Sequence, residues 1–202
     1  MKYVAIDTSG KNLTVVVNNG KNTFCHYEEE CGVRHSVRLN QVIEELVDKS
    51  GLNLAEADFF ACVVGAGSFT GIRIGVSTVK ALCLSFNKPA LSITSFDTIA
   101  YNKRGNNLVL IDAGHGGYYA CGYDKDMNVT YSARYALKEE IAPLKSKYNF
   151  ICGAKVEGLK AKKLPIDKGL IEAVNAKANQ TVSPNELTPL YLRKSQAEEG
   201  RL

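Results

Sequence analysis

The chain has no run of roughly 18 to 20 apolar residues, the length a membrane-spanning helix needs. It has no Cys-x-x-Cys pair: Cys25, Cys31, Cys62, Cys83, Cys121 and Cys152 are scattered, a spacing that disfavours zinc. Cys62, Cys83 and Cys152 lie in apolar segments, where a free thiol behaves as a small hydrophobe. The only histidines are His26, His35 and His115. No two stand four apart, the spacing that puts two imidazoles on one helical face to hold a metal. There is no Gly-x-x-x-x-Gly-Lys-[Ser/Thr]: after Gly65 the corresponding positions are Thr70 and Gly71, which excludes a Walker-type phosphate loop. No Ser-His-Asp or Cys-His pairing follows from the spacing. Nor is one charge in strong excess. Lys and Arg number 25 against 21 Asp and Glu, a surplus weaker than a dedicated nucleic-acid-binding domain shows. The opening Met1 to Asp7 turns acidic after a short apolar run and lacks a small-residue cleavage site, so no secretory leader is expected. The expectation is a cytosolic protein with reduced thiols.

What is present suits a folded core. Of the 202 residues, 45% are apolar and 23% charged, as in ordinary globular proteins, and the length allows one large domain or two small ones. Lys2 to Asp7 and the β-branched Leu13 to Val17 read as strands. Asn18-Asn19-Gly20 reads as a hairpin turn, since Asn and Gly tolerate positive φ, and a third strand follows near Asn22 to Tyr27. Leu39, Val42, Ile43, Leu46 and Val47 recur at three and four, which predicts a helix, with Ser36 as N-cap and Gly51 as stop. Strands are predicted at Phe59 to Val64 and Pro89 to Thr94, with a helix from about Ile72 to Phe86 between them. A short helix from Ser95 to about Tyr101 precedes the best candidate for a domain junction, Arg104-Gly105-Asn106-Asn107. The second half restarts with strands at Leu108 to Ile111, Tyr118 to Tyr123 and through the Val129, Tyr131, Ala133, Tyr135 alternation. A short helix around Leu137 to Ser146 and a strand at Phe150 to Cys152 follow. The Lys-rich remainder gives no clear element. No sequence repeat is visible, but each half opens with an apolar strand ending in Asp and a small-residue turn.

Two loops admit two readings each. Asp7-Thr8-Ser9 and Asp112-Ala113-Gly114 either cap turns or present backbone N–H groups to a phosphate, with the carboxylate organising Mg²⁺ through water. Gly65-Ala66-Gly67-Ser68-Phe69-Thr70-Gly71 is either a tight strand-to-helix turn or an anion site at a helix N-terminus. The helix after it carries its polar residues, mainly Arg73, Ser77 and Lys80, in one narrow stripe. A helix apolar over most of its circumference is buried on most sides, against its own sheet and against something else.

Gly67-Ser68-Phe69-Thr70-Gly71-Ile72-Arg73-Ile74-Gly75 closely resembles the G-S-F-T-G-[VI]-R-I-G signature of the TsaB (YeaZ) family. Ala5-Ile6-Asp7-Thr8-Ser9 resembles that family's opening, His35-Ser36-Val37-Arg38-Leu39 its H-S-x-R-L helix start, and Pro189-Leu190-Tyr191-Leu192-Arg193 its P-x-Y-L-R ending. The four motifs stand in order from residue 5 to 193. A fifth motif departs: the family's D-A-R-x-G-E-x-Y reads Asp112-Ala113-Gly114-His115-Gly116-Gly117-Tyr118-Tyr119, without the Arg and Glu.

The resemblance implies an α/β actin-like fold (ASKHA, ribonuclease H-like): two lobes with mixed sheets and flanking helices. These are expected at 1–105 and, smaller and divergent, at 106–202. It implies a non-catalytic subunit, a paralogue of the catalytic TsaD. TsaD transfers threonylcarbamoyl to adenosine 37 of tRNAs reading codons that begin with A, and a TsaE ATPase completes the set. No cofactor is expected for this chain, ATP entering only with the complex. The partner face is expected on the two helices, at His35, Arg38, Leu39, Val42, Ile43 and Leu46 of the first and Thr70, Gly71, Arg73, Ile74, Gly75 and Thr78 of the second, with a homodimer possible through the same helices. Glycines at 71 and 75 beside Thr78 suit close helix–helix approach; the alternative is contact with the chain's own sheet. Asp7, Thr8, Ser9 and Asp112 are expected to be vestigial nucleotide-loop residues. tRNA is expected to be reached only through the complex, and no membrane is involved.

Two rivals remain. A metal-dependent peptidase is disfavoured by the missing His pair. An independent ATPase is disfavoured by the length and by the thin glycine cluster at Cys152-Gly153-Ala154. Lys145, Lys147, Lys155, Lys160, Lys162, Lys163 and Lys168 concentrate positive charge in the second half, either as a solvated face or against tRNA phosphates.

Overall fold

A computed structural model describes residues 1–193, apart from the side chain of Val33. They form two compact units. The first comprises Met1–Ser95 and Ala173–Leu190, the second Phe96–Glu172 and residues 191–193.

The first unit runs β1 (Lys2–Asp7), β2 (Leu13–Asn19), β3 (Thr23–Glu28), α1 (His35–Ser50), β4 (Phe59–Val63), α2 (Phe69–Phe86) and β5 (Ala90–Ile93). Its sheet has the order β3-β2-β1-β4-β5. β1, β2 and β3 are antiparallel neighbours, and β4 and β5 extend the sheet in parallel with β1. The turn after β2 is built as its sequence predicts: Gly20 has φ +91°, and the Asn18 and Asn19 side chains accept from the N–H groups of Gly20, Lys21 and Asn22. β4 is buried along its whole length, which explains an unbroken apolar run where an alternating one would mark a half-exposed strand. α1 lays Leu39, Val42, Ile43 and Leu46 on the sheet and stops at Gly51, φ +66°. Its start differs from expectation. The 3-10 turn Gly32–Arg34 runs directly into the helix, so Ser36 already lies in the first turn, and the cap position is Arg34 with no side-chain cap.

The second unit runs α3 (Asp97–Ala100), β6 (Asn107–Asp112), β7 (Gly117–Tyr123), β8 (Val129–Leu137), α4 (Lys138–Ile141), β9 (Asn149–Cys152), β10 (Lys162–Lys163) and the start of α5 (Ile166–Lys177), whose residues from Ala173 on belong to the first unit. Its sheet order is β10-β9-β6-β7-β8. β6, β7 and β8 are antiparallel neighbours, and β9 and β10 continue in parallel with β6. Counted from each unit's first strand, the two sheets have one topology. The helices do not match. Between β9 and β10 stands only a loop where the first unit places α2. α4 is a single turn because the chain continues as the 3-10 helix Ala142–Ser146, Pro143 having no N–H for a longer α-helix.

The units do not part at 105/106. α3 belongs with the second: a Cβ at Gly169 would strike the Thr98 carbonyl, and one at Gly153 would sit 3.3 Å from Ile99. The chain then returns to the first unit. Val182 and Ala90 exchange backbone hydrogen bonds, the Leu190 N–H donates to the Val64 carbonyl at 2.7 Å, and Leu187 is fully buried in the first core. This return rests on long-range pairing that local sequence does not signal.

Candidate functional site

The Asp7-Thr8-Ser9 turn, the first of the two expected phosphate loops, is filled by the chain itself. The Asp7 carboxylate accepts from the Ser9 N–H at 2.8 Å and the Ser9 hydroxyl at 2.7 Å. Ser95 Oγ donates to Ser9 Oγ at 3.0 Å. The loop opening α2 closes over this turn: the Ser68 N–H donates to the Ser9 carbonyl at 2.7 Å, and Thr8 Oγ1 donates to the Gly71 carbonyl at 2.7 Å. A Cβ at Gly67 would overlap the Ser9 carbonyl and one at Gly71 the Thr8 carbonyl. Asp7, Thr8 and Ser9 are all buried. Burial pushes the Asp7 carboxyl above its ordinary range, against the opposing pull of its Ser9 hydrogen bonds and of His35. Of the two readings of the glycine loop, the tight strand-to-helix turn is the one built here. Ser68 caps α2 by accepting from the Gly71 N–H at 3.2 Å.

His35 and Arg38 are occupied too. His35 is buried, its Nε2 3.2 Å from the Asn12 carbonyl, which ties the start of α1 to the β1–β2 turn. Burial pulls its pKa down, opposed by the Asn12 contact and by the nearby Asp7 and Glu28. Arg38 Nε donates to Glu28 at 3.1 Å and its Nη1 to Gln41 at 2.9 Å. Arg34 and His26 reach the same Glu28 carboxylate at 3.2 and 3.4 Å; the Arg38 bond first, with those of His26 and Cys31, holds it below the usual carboxylate range against desolvation.

The expected partner face is therefore narrower than the motifs imply. His35, Leu39, Val42, Ile43 and Leu46 point into the first unit's own core. Gly71 and Gly75 lie against the chain's own sheet: a Cβ at Gly75 would stand 2.6 Å from Thr8 Oγ1 and 3.2 Å from Cys62 Sγ. The close approach that these glycines permit is to β1 and β4. Arg38 is tied to Glu28. Thr70, Arg73, Ile74 and Thr78 do reach the surface, Ile74 and Thr78 partly. Arg73, Ile74, Ser77 and Thr78 of α2 line an open groove of about 380 Å³ with Ser36, Leu39 and Asn40 of α1.

The outward side of α2 carries a signal that the sequence reading missed. Thr70, Ile74, Ser77, Ala81 and Leu84 follow a 4-3-4-3 spacing, the seam of a packed helix pair, and none is buried. Leu84 is 69% exposed. Opposite lies the inward stripe of Gly71, Ile72, Gly75, Val76, Val79 and Cys83. By length and composition α2 would suit a membrane span, yet a third of it is buried inside the protein; it covers a sheet. The seam is inconspicuous in sequence because Thr, Ser and Ala occupy three of its five positions.

The second Asp turn is open. Asp112 is exposed, accepting from the Gly114 N–H at 2.7 Å and the Glu157 N–H at 3.3 Å. The hairpin passes through Gly114, His115 and Gly116 with φ +73°, +53° and +76°, a run of left-handed residues for which glycine is the low-cost choice. Among the described residues, no three of His, Cys, Asp and Glu converge as metal ligands.

Two units of like topology, each opening on an antiparallel meander whose first strand ends in Asp, define a two-lobed actin-like protein. Among solved structures the chain is similar to YeaZ from Pseudomonas aeruginosa, with TM-score 0.76 and 23% identity over 95% of this chain and 99% of that one. It is also similar to a Pseudomonas aeruginosa protein described as uncharacterized with similarity to peptidase YEAZ, with TM-score 0.80 and 24% identity over the same shares. The family model described as TsaD, tRNA N6-adenosine threonylcarbamoyltransferase, matches residues 28–164. The chain is 32% identical over 133 residues to the tRNA threonylcarbamoyladenosine biosynthesis protein TsaB of Escherichia coli, across 63% of this chain and 57% of that protein. It is 27% identical over 169 residues to the protein of that name in Bacillus subtilis, across 82% and 69%. The chain belongs to this family, in its TsaB (YeaZ) branch. It spans little more than half the length of its Escherichia coli relative.

Proposed function

We propose that this chain is a non-catalytic scaffold subunit in the cytoplasmic synthesis of threonylcarbamoyladenosine at position 37 of tRNAs reading codons that begin with A. In this reading its α1/α2 face docks a TsaD-type catalytic subunit, a TsaE-type ATPase completes the assembly, and the chain itself needs no cofactor. The observation that carries the reading is the outward seam of α2, Thr70, Ile74, Ser77, Ala81 and Leu84, beside the groove floored by Leu39. A helix that covers its own sheet on one side and keeps a heptad-spaced apolar and small-residue stripe on the other suits a second helix laid along it. Chemistry on the chain itself is disfavoured by the contacts of its buried polar groups. The Asp7 carboxylate is committed to Ser9 and roofed by the α2 loop, and the buried His35 is committed to Asn12. When no partner is present, the seam offers the same surface to a second copy of the chain.

The test is reconstitution. The cognate TsaD- and TsaE-type proteins are assayed for tRNA modification with and without this chain. Modification that needs the chain, together with no turnover by the chain alone, is the expected result. Full modification in its absence, or a chelator-sensitive peptidase activity of the chain alone, contradicts the proposal.

A further inference from the structure

Charge is divided unequally between the two units. The first carries ten Lys and Arg and ten Asp and Glu, whereas the described residues of the second carry thirteen basic and nine acidic residues, a surplus of four. Within the second unit the basic residues are grouped again. Residues 98–111, 141–156 and 158–166 contain eight Lys and Arg and no Asp or Glu.

These three segments lead into β6, β9 and β10, and those strands are parallel neighbours. Parallel strands begin at the same end of a sheet, about 4.8 Å apart. Asn107 pairs with Asn149, and Lys162 with Ile151. The Asn149 N–H donates to the Asn106 carbonyl at 2.8 Å, so the approach to β6 and the approach to β9 touch. The topology therefore brings Lys103, Arg104, Lys145 and Lys147 to one end of the sheet, and Lys162, with Lys160 before it, joins the sheet edge two residues further in, level with Ile151. All six are exposed. The basic stretch is bounded on one side by the β7–β8 turn, where Asp124 and Asp126 stand. Protection of an edge strand against aggregation would account for Lys162 and Lys163 on β10, but not for the bases in the loops before β6 and β9.

We infer that this end of the second sheet is a docking surface for the sugar-phosphate backbone of a folded RNA, so that the chain itself holds tRNA during modification. Several point charges spread over three segments match a row of phosphates better than a single anion. Among the described residues the ring beneath Lys147, Tyr148, is buried, and Tyr101, before Lys103, is only half-exposed. Base stacking is thus not part of the contact, and backbone and shape recognition is. The choice of tRNA as the RNA rests on the proposed function; the surface rests on charge and topology alone.

The probe is an unmodified tRNA transcript, titrated with the full chain at about 50 mM salt and at higher salt. The variant combines Lys145→Glu, Lys160→Glu and Lys162→Glu. A control of the same net charge combines Lys11→Glu, Lys21→Glu and Lys49→Glu, all exposed in the first unit. The expected result is an affinity loss of at least about tenfold for the first triple and under about threefold for the control. The slope of log K against log salt should shrink by about two to three for the first triple. If the reversals impair folding, Lys→Gln at the same three positions should still weaken binding and lower the slope. Equal losses in both triples, no loss in either, or no measurable binding would overturn the proposal. Binding of poly-glutamate with the same lysine dependence, and none of tRNA, would assign the surface to an acidic protein and overturn it as well. A Leu84→Glu variant should bind the transcript as the parent does, which separates this surface from the α2 seam.

Discussion

Gly71 of α2 rests on the backbone of Thr8: the Thr8 hydroxyl donates to the Gly71 carbonyl at 2.7 Å, and a Cβ at position 71 would overlap the Thr8 carbonyl oxygen. Helix and turn interlock here, so the glycine signature of α2 is legible as packing against β1.

Substitutions at the two glycines should act on the fold. Gly71→Ala meets a fixed backbone carbonyl and should lower the free energy of unfolding by about 1 to 3 kcal/mol, the usual range for overpacking, despite alanine's better helix propensity. Gly75→Ala meets a hydroxyl at 2.6 Å and a thiol at 3.2 Å, which side-chain movement relieves in part, so its cost should be smaller. Denaturant melts of both variants check this ordering. A Gly71→Ala protein as stable as its parent would contradict the packing described.

Asp7 should behave as a turn residue. Asp7→Asn keeps an acceptor for the Ser9 N–H and removes a buried charge, so stability at pH 7 should be unchanged or slightly raised. Asp7→Ala leaves the Ser9 N–H without its acceptor and should cost about 1 to 3 kcal/mol, with partner binding retained. Melts at pH 7 compare the two. Asp7→Asn much less stable than Asp7→Ala would refute the assignment.

Two buried ionisable groups, Asp7 and His35, give stability opposite pH slopes. Asp7 has a raised folded pKa. The native state therefore holds the extra proton above pH 3.8, and Asp7's contribution falls as pH rises from there towards its folded pKa. His35 has a lowered folded pKa. The unfolded state holds the extra proton below pH 6.5, so its contribution is complete above 6.5 and is lost as pH falls towards the folded value. His35→Gln should flatten the decline in stability between about pH 6.5 and its folded pKa. An unchanged pH profile in that variant would contradict the buried, neutral imidazole.

Thiol reactivity should separate one cysteine from five. Cys25 is exposed on β3 and the other five are buried; burial raises the Cys62 thiol well above its ordinary value and the Cys83 thiol to about 11. Since the thiolate is the reacting form, iodoacetamide should label Cys25 in the native protein and all six after denaturation. Early native labelling of Cys62 or Cys83 by mass spectrometry would contradict the core packing.

Much of this fold was readable in the chain because its elements are locally consistent. Asn18-Asn19-Gly20 builds its turn, the Leu39 to Leu46 spacing builds α1, and the strand ending in Asp7 and the strand ending in Asp112 mark the starts of two like sheets. Reading failed where tertiary structure decides. α5 was hidden in a Lys-rich stretch although Leu170, Ala173 and Val174 form its buried stripe. β10 is two lysines held as a strand only by β9. The junction fell at 95/96, since the packing of α3 on Gly153 and Gly169 is not local. At the site, motif positions were read as surface when most are interior. His35, Gly71 and Gly75 fasten α1 and α2 to the sheet, and the outward seam is carried by Ser77, Ala81 and Leu84, whose residue types announce nothing.

The central claim, that the outward side of α2 is the partner-binding face, is tested most directly by the affinity of Leu84→Glu for the cognate TsaD-type subunit. Val129→Glu, at a valine 58% exposed on β8 of the second unit, serves as the control. Exposed substitutions change stability by only about 0.5 kcal/mol, so both variants should melt with the parent. A charge placed in a buried helix seam should cost at least about 2 kcal/mol of binding, roughly thirtyfold in Kd. The account predicts that loss for Leu84→Glu and none for Val129→Glu. A Leu84→Glu protein that folds and binds with undiminished affinity would contradict it.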